Sequence, residues 1–573
     1  MLVILMLSIL VGILDGFGLA MFLPLLQMVA SDGGVASEQM GNLSFLVDGI
    51  EALGLSLNLT VVLLTMLLFF SLKGVFIFIE KYKNAIYQQY FIRNIREENI
   101  LALAKYDYKK FVDEDAGRIQ NTMSGEVSRV AMGFNHYMRV IQNSVLILVY
   151  TTLAFLANPQ FALLIMIGGV LTNLLFNSLY KKTKTLSFRL TKENHTFQGL
   201  IIQQVAQFKY LKATGLIRDY AKKLISVVKQ VENSQRKIGV LNAIMMGVRE
   251  PLLIAVVVSV ILVQVNLLGG SLALIILSIL FFYRALKSVM HMQNTWNGFL
   301  AVTGSIENLK LFTNDLKKGK ETTGTEIFSE FKDRINVVEL SFSYGESPVL
   351  NNINLEITKN ETLAIVGESG SGKTTLMNLL SGLIKPSNGR IEVDGKNLQN
   401  FNISTYQRKV GYITQEPVIF SDTIFNNVTF WEPKTSENRL RFRQALNQAN
   451  IFEFVNTLPE AENTLLGNNG INLSGGQKQR ISIARELYKN VEFLFMDEAT
   501  SSLDSETEKN IQKSIEKLKG MYTIIVIAHR LSTIRNADNV VVLRNGEIVE
   551  SGNYVELIGH SDAFKRMVEL QEI

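Results

Sequence analysis

Six apolar runs long enough to cross about 30 Å of hydrocarbon fall near residues 3–28, 59–79, 140–157, 160–180, 240–265 and 268–290, all ahead of residue 315. The segments between them are of two kinds. Residues 31–58, 158–160 and 264–268 contain no Lys or Arg, whereas 80–139 and 181–237 carry many. The positive-inside rule therefore predicts that both long loops and the C-terminal half lie in the cytoplasm. The long loops keep helical periodicity, as in Ile92–Leu103 and Val227–Arg236, which predicts membrane helices prolonged into cytosolic stalks. Bends at Lys109–Gly117 and Gln207–Gly215 are expected to contact the C-terminal domain, and Gly41–Leu57 is expected to form a short helix on the outer membrane face.

Beyond residue 312 the pattern changes. Lys317-Lys318-Gly319-Lys320 and Thr322-Thr323-Gly324-Thr325 read as polar linker, giving a membrane domain over 1–312, a linker over 313–331 and a second domain over 332–573. Within the last, Ile335–Val338, Thr362–Val366, Phe493–Met496 and Thr523–Ile527 have the composition of buried strands in an α/β domain. The chain is thus expected to join a six-helix membrane bundle to an α/β domain.

Composition agrees. The 573 residues are 47% hydrophobic and only 19% charged, more apolar than a soluble protein. The net charge of +5 is spread over several segments, so no nucleic-acid partner is expected. There is no cysteine, and the five histidines show no ligand spacing, so no structural metal is expected. Residues 1–30 read as a retained span rather than a cleaved signal, because no basic stretch precedes them and the apolar run exceeds the usual signal length.

The chemistry is concentrated after residue 340. Gly367-Glu368-Ser369-Gly370-Ser371-Gly372-Lys373-Thr374 has P-loop spacing, follows an apolar strand and leads into a helix expected near Thr375. Its glycines let backbone N–H groups wrap phosphates, Lys373 brings charge to the β and γ groups, and Thr374 offers a hydroxyl to Mg²⁺. Four apolar residues run into Asp497-Glu498, placing two carboxylates at the end of a buried strand. Asp497 is expected to hold Mg²⁺ through water and Glu498 to polarise the attacking water. Leu473-Ser474-Gly475-Gly476-Gln477 is a second glycine-rich turn opening a helix, suited to a further anion.

With that pentapeptide the sequence resembles the ABC ATPase family, over Asn336 to about Glu572. The resemblance implies ATP and Mg²⁺ as cofactors, an adenine-stacking role for Tyr344, and nucleotide contacts from the P-loop through Thr375. It assigns Gln415 to sensing Mg²⁺ and the membrane domain, Asp504 to the dimer crossing, and His529 to the γ-phosphate. It also implies the type-1 ABC exporter fold, a half-transporter working with a second copy, and a bacterial inner membrane location. A cytosolic lead-in ordinarily precedes the first helix in that family, in sequence ahead of Met1. Related exporters carry Thr-x-x-Gly-Glu-Arg-Gly before the signature; here Thr464-Leu465-Leu466-Gly467-Asn468-Asn469-Gly470 replaces acid and base by amides, so the coupling contact must be made differently.

Charged residues inside the spans bear on cargo. Asp15, Lys73, Arg249 with Glu250, Arg284 and Lys287 each cost about 2.5–3.5 kcal/mol at mid-depth, so they either line an interior that takes an anionic cargo or neutralise one another. The first-span pattern of Asp15, spaced glycines and Pro24 resembles flippases of lipid-linked oligosaccharides. The expected cargo is an amphiphilic or lipid-linked molecule. Peptide or drug export and a non-pumping ATP-gated regulator are the alternatives, the last disfavoured by intact Glu498 and His529.

Overall fold

The computed structural model describes residues 2–22, 24–25, 28, 45–56, 58–157, 159–266, 272–497, 513, 515–528, 530–561, 564–566 and 568–569. The chain divides into two compact units, one of residues 1–106 and 110–320, the other of 107–109 and 321–573.

In the first unit, among the described residues, four helical stretches are long and apolar enough to cross a membrane: Leu2–Ala20, Leu59–Leu103, Ala116–Leu156 and Ile217–Ser259. The helices Pro159–Ala206 and Leu272–Leu300 cover the two remaining expected spans. The Leu59–Leu103 helix has 45 residues, roughly 68 Å at 1.5 Å per residue, so more than half of it extends beyond the hydrocarbon as a stalk. Both expected bends are real interruptions, each holding a short helix, Tyr108–Val112 and Phe208–Ala213. The outer segment folds as the helix Phe45–Ala52. Residues 313–318, expected to begin the linker, instead complete the helix Thr303–Lys318, whose inner face buries Leu309, Phe312 and Leu316. Apolar spacing outweighs the polar composition there, and the unit boundary falls after Lys320.

Small residues bring the first helix close to its neighbours. A Cβ on Gly16 would run into Leu153, and one on Gly18 would lie 3.0 Å from Phe70. That approach buries Asp15 to 1% exposure. Its carboxylate accepts from Lys73 Nζ at 2.5 Å and from the Tyr150 hydroxyl, with Arg284 Nε 3.9 Å away. Asp15 is thus paired with cations of the second and sixth expected spans. Arg249, fully buried, likewise donates to Asn294 and to the Met290 carbonyl, and its guanidinium lies 4.9 Å from the Phe176 ring centroid. Asp15→Ala would leave Lys73 and Arg284 without their carboxylate, and their partial exposure, 20% and 35%, keeps the cost below the ~3–5 kcal/mol of a fully buried pair. A clear fall in Tm of the detergent-purified protein is expected; an unchanged Tm would show that the cluster carries no stability.

A π-helical turn, Thr122–Glu126, joins the stalk helices. The fully buried Glu126 receives His195 Nε2 at 2.8 Å, Asn121 Nδ2 at 3.3 Å and Asn308 Nδ2, tying three stretches of chain together.

The second unit contains two sheets. Strands β1 (Arg334–Tyr344), β2 (Ser347–Thr358), β4 (Asn388–Val393) and β5 (Lys396–Asn397) form an antiparallel sheet in the order β2-β1-β4-β5. Strands β3 (Thr362–Val366), β6 (Val410–Ile413), β7 (Phe493–Asp497), β8 (Thr523–Ile527), β9 (Asn539–Arg544) and β10 (Glu547–Gly552) form the main sheet, β10-β9-β3-β8-β7-β6. Only the β9–β10 pairing is antiparallel there. Successive side chains of β3 serve opposite faces: Ala364 and Val366 join one core, Leu363 and Ile365 the other. Burial on both faces explains why these strands read as unbroken apolar runs.

Candidate functional site

The P-loop leaves the main sheet where β3 ends. Gly367 has φ +151°, and a Cβ there would strike the Leu543 carbonyl. Gly372, at φ +104°, caps the helix Lys373–Leu380, and a Cβ there would lie 2.7 Å from Leu350 Cδ2. Only glycine satisfies both demands. The helix therefore starts two residues ahead of the expected Thr375. Lys373, 7% exposed, folds its amine back to donate to the carbonyls of Gly367 (2.9 Å) and Glu368 (2.8 Å). Glu368, Ser369, Gly370 and Thr374 are exposed, while Thr375 points inward. The buried Ser371 hydroxyl has no partner among the described residues, and the Ser371 carbonyl accepts from Gly546 N at 3.2 Å.

Tyr344 ends β1 with 42% of its surface exposed and packs edge-on against Phe342, centroids 4.8 Å apart. The same unit takes in Lys109, whose amine donates to the Ser343 carbonyl at 3.0 Å and lies 5.0 Å and 5.9 Å from the Phe342 and Tyr344 rings. No sequence pattern pairs Lys109 with Tyr344, because the contact spans more than two hundred residues.

Gln415 lies exposed in the bend after β6, and Asp497 ends β7, the strand beside it. The P-loop strand is not adjacent to β7, since β8 lies between them. Tyr412 bridges the gap: its hydroxyl donates to Asn378 Oδ1 on the P-loop helix at 3.1 Å. Burial, and next the negative charge of Asp497, push the Tyr412 phenol above its ordinary range. It thus stays a neutral donor. Glu498, Asp504 and His529 lie outside the described residues.

The glycine-rich turn at 473–477 opens the helix Gly475–Tyr488 with a capping box. Ser474 Oγ accepts from Gln477 N, and Gln477 Oε1 accepts from Ser474 N at 2.9 Å, so the Gln477 carbonyl serves the cap while Ser474 and Gly475 stay exposed. Arg485, which sequence reasoning missed, anchors this helix. Buried to 4% exposure, it donates to Asn427 O at 2.6 Å and Oδ1 at 3.1 Å and lies over the rings of Phe420 and Phe430. Just upstream, Asn469 is left-handed at φ +51°, ψ +31°, followed by Gly470 at φ +62°. Asparagine tolerates that region better than most residues, which supplies a backbone reason for an amide in this loop.

Two family models match the chain: the ABC transporter transmembrane region over residues 1–263 and the ABC transporter model over residues 350–501. Among curated relatives, the heterocyst differentiation ATP-binding protein HepA of a Nostoc species is 33% identical over 453 residues, 78% of this chain and 74% of that one. An ATP-dependent lipid A-core flippase of Francisella tularensis is 29% identical over 500 residues, 84% and 81% of the two chains. The same kind of flippase from Syntrophus aciditrophicus is 38% identical over 294 residues, 51% and 48%. Among solved structures, a bacterial Atm1-family ABC exporter with ATP bound superposes with a TM-score of 0.79 at 21% identity, covering 99% of this chain and 97% of that one.

Proposed function

The chain belongs to the ABC transporter family as a half-transporter of type-1 exporter fold, an integral membrane protein in which ATP hydrolysis drives substrate movement, and from that premise we propose that it works as a homodimer flipping an anionic, lipid-linked amphiphile. The observation that carries the ATP-driven part is the P-loop, where three constraints coincide: glycines at positive φ, the retracted Lys373 amine and an exposed Thr374. The lipid part draws on the flippases to which the chain is similar over most of its length. The proposed location is a bacterial inner membrane with the second unit in the cytoplasm, in keeping with the basic residues of the two long loops.

In the proposed cycle the Ser474–Gln477 turn of one copy closes over ATP held by the P-loop of the other, with Tyr344 against adenine. Lys373 turns from its loop carbonyls to the β and γ phosphates, and Ser371, buried without a partner, is positioned to donate to a phosphate oxygen. Thr374, Asp497 and Gln415 are the oxygen donors available to Mg²⁺, a hard-oxygen set that fits that ion and would neutralise the phosphate charge. Glu498 takes a proton from water as the water oxygen attacks the γ-phosphorus; the bond to the β–γ bridging oxygen breaks and ADP leaves with that electron pair. His529 holds the γ-phosphate oxygens. Closure turns the membrane cavity outward and hydrolysis reopens it.

The test is ATP turnover of the purified chain in nanodiscs, with a lipopolysaccharide precursor, a lipid-linked oligosaccharide, a peptide panel and a drug panel. Several-fold stimulation by one of the lipid-linked compounds alone is expected. Stimulation by peptides or drugs instead would overturn the cargo class, and no turnover under any condition would overturn the homodimer.

A further inference from the structure

Tyr412 ties together motifs that the strand order keeps apart. It lies on β6, the edge strand of the main sheet, opposite Phe495 of β7, and the two rings stack with centroids 6.4 Å apart. Side chains alternate between the faces of a strand, so Phe493, Phe495 and Asp497 share one face of β7. Phe493 and Phe495 pack there in one core with Leu376 and Leu380 of the P-loop helix, and Tyr412 borders the same core. Asp497, Tyr412 and the P-loop helix therefore lie on one side of the sheet.

The Tyr412 hydroxyl donates to Asn378 Oδ1 at 3.1 Å, and the charge of Asp497 acts on the same phenol. Asn378 is buried and follows Thr374 by four residues in the helix Lys373–Leu380, one turn further along the same helix face. The backbone of Tyr412 is held from another side. Its N–H donates to Glu486 Oε2 at 3.4 Å, and Glu486, buried in the helix Gly475–Tyr488, also receives Lys489 Nζ at 2.6 Å. A phenol fixed by its backbone, its ring stacking and its hydroxyl is a rigid spacer. The spacing it sets concerns the two oxygen donors proposed for Mg²⁺. Thr374 is carried by the helix after β3 and Asp497 by β7, and β8 lies between those strands; the bond from Tyr412 to Asn378 adds a tether across that gap.

We propose that Tyr412 is a positioning residue for the metal: through Asn378 its hydroxyl holds the P-loop helix, and with it Thr374, where Thr374 and Asp497 together can serve one Mg²⁺. The inference rests on the assignment of those two residues as Mg²⁺ donors and on nothing about cargo or the dimer, because every group involved belongs to the second unit of one chain.

The test uses Mn²⁺, a paramagnetic ion that shares the preference of Mg²⁺ for oxygen ligands. Its binding to the full-length protein in a neutral maltoside detergent is followed by electron paramagnetic resonance, with protein in excess over adenylyl imidodiphosphate so that metal on free nucleotide does not contribute. Binding of a fluorescent ATP analogue is measured in parallel in EDTA. Y412F keeps the ring against Phe495 and removes the hydroxyl, and N378L removes the acceptor. Each variant should weaken Mn²⁺ binding about three- to tenfold, the net worth of one neutral hydrogen bond, while nucleotide affinity in EDTA stays within about twofold of wild type. The double variant should be no weaker than either single one, because all three lack the same bond. Unchanged Mn²⁺ affinity in Y412F would overturn the inference and leave the donor assignment standing. An equal loss of nucleotide affinity in EDTA would also overturn it, since a generally loosened P-loop would then account for the effect. Failure of the wild type to bind Mn²⁺ would overturn the donor assignment itself, and the inference with it.

Discussion

Glu498→Gln is expected to lower ATP turnover by about two to four orders of magnitude, the range a positioned general base supplies, while leaving ATP affinity within about twofold of wild type. Gln has the size and hydrogen-bonding reach of Glu but cannot take the proton that water must lose as it attacks phosphorus. The position follows Asp497, which ends β7 at the same carboxyl edge of the sheet from which the P-loop leaves β3; in open α/β sheets this edge gathers the ligand-binding loops. Two readings are needed: single-turnover hydrolysis and binding of a fluorescent ATP analogue. Retained binding with lost turnover, and ATP-induced dimers that persist on size exclusion, would place Glu498 at the chemical step. Normal hydrolysis would remove it from that role and leave Asp497 or His529 to be tested in its place.

What the sequence makes legible here is local, and what it hides is long-range. The P-loop, the signature turn and the buried strands are each written in fewer than a dozen consecutive residues, because a tight turn needs glycine and a doubly covered strand needs unbroken apolar side chains. The apolar runs are legible for the same reason. The partners of Asp15 are not: Lys73 and Tyr150 lie 58 and 135 positions away, and without them a lone acid beside lone cations looks equally like a cargo site. The strand order is likewise invisible: no short stretch records that β8 lies between the P-loop strand and β7, or that Tyr412 of β6 reaches the P-loop helix. Residues 313–318 misled for a different reason, their Lys and Asp content masking an apolar spacing that helix packing uses. The amides at Asn468-Asn469 change meaning once Asn469 is seen at positive φ, where a backbone requirement competes with any side-chain role.

The homodimer reading has a sharper consequence than any single variant. Lys373→Ala removes the loop's cation and leaves the Gly367 and Glu368 carbonyls without its amine; loss of charge-assisted bonds to phosphate, about 1.5–3 kcal/mol each, should abolish hydrolysis at that P-loop. Ser474→Arg removes the cap of the signature helix and fills the exposed turn with a bulky cation. If each site is built from the P-loop of one copy and the signature of the other, placing both substitutions in one chain and pairing it with an unmodified chain destroys both sites. Placing Lys373→Ala in one chain and Ser474→Arg in the other confines both defects to one site and leaves the second intact. The two heterodimers have the same composition, so protein stability and expression do not distinguish them. With differently tagged chains and tandem purification, the trans pair should turn over ATP at least about tenfold faster than the cis pair, a difference of more than 1.4 kcal/mol in activation free energy. A cis pair that turns over ATP faster than the trans pair would mean that each chain completes its own site, because the unmodified chain would then keep an intact one, and that is incompatible with the proposed dimer clamp.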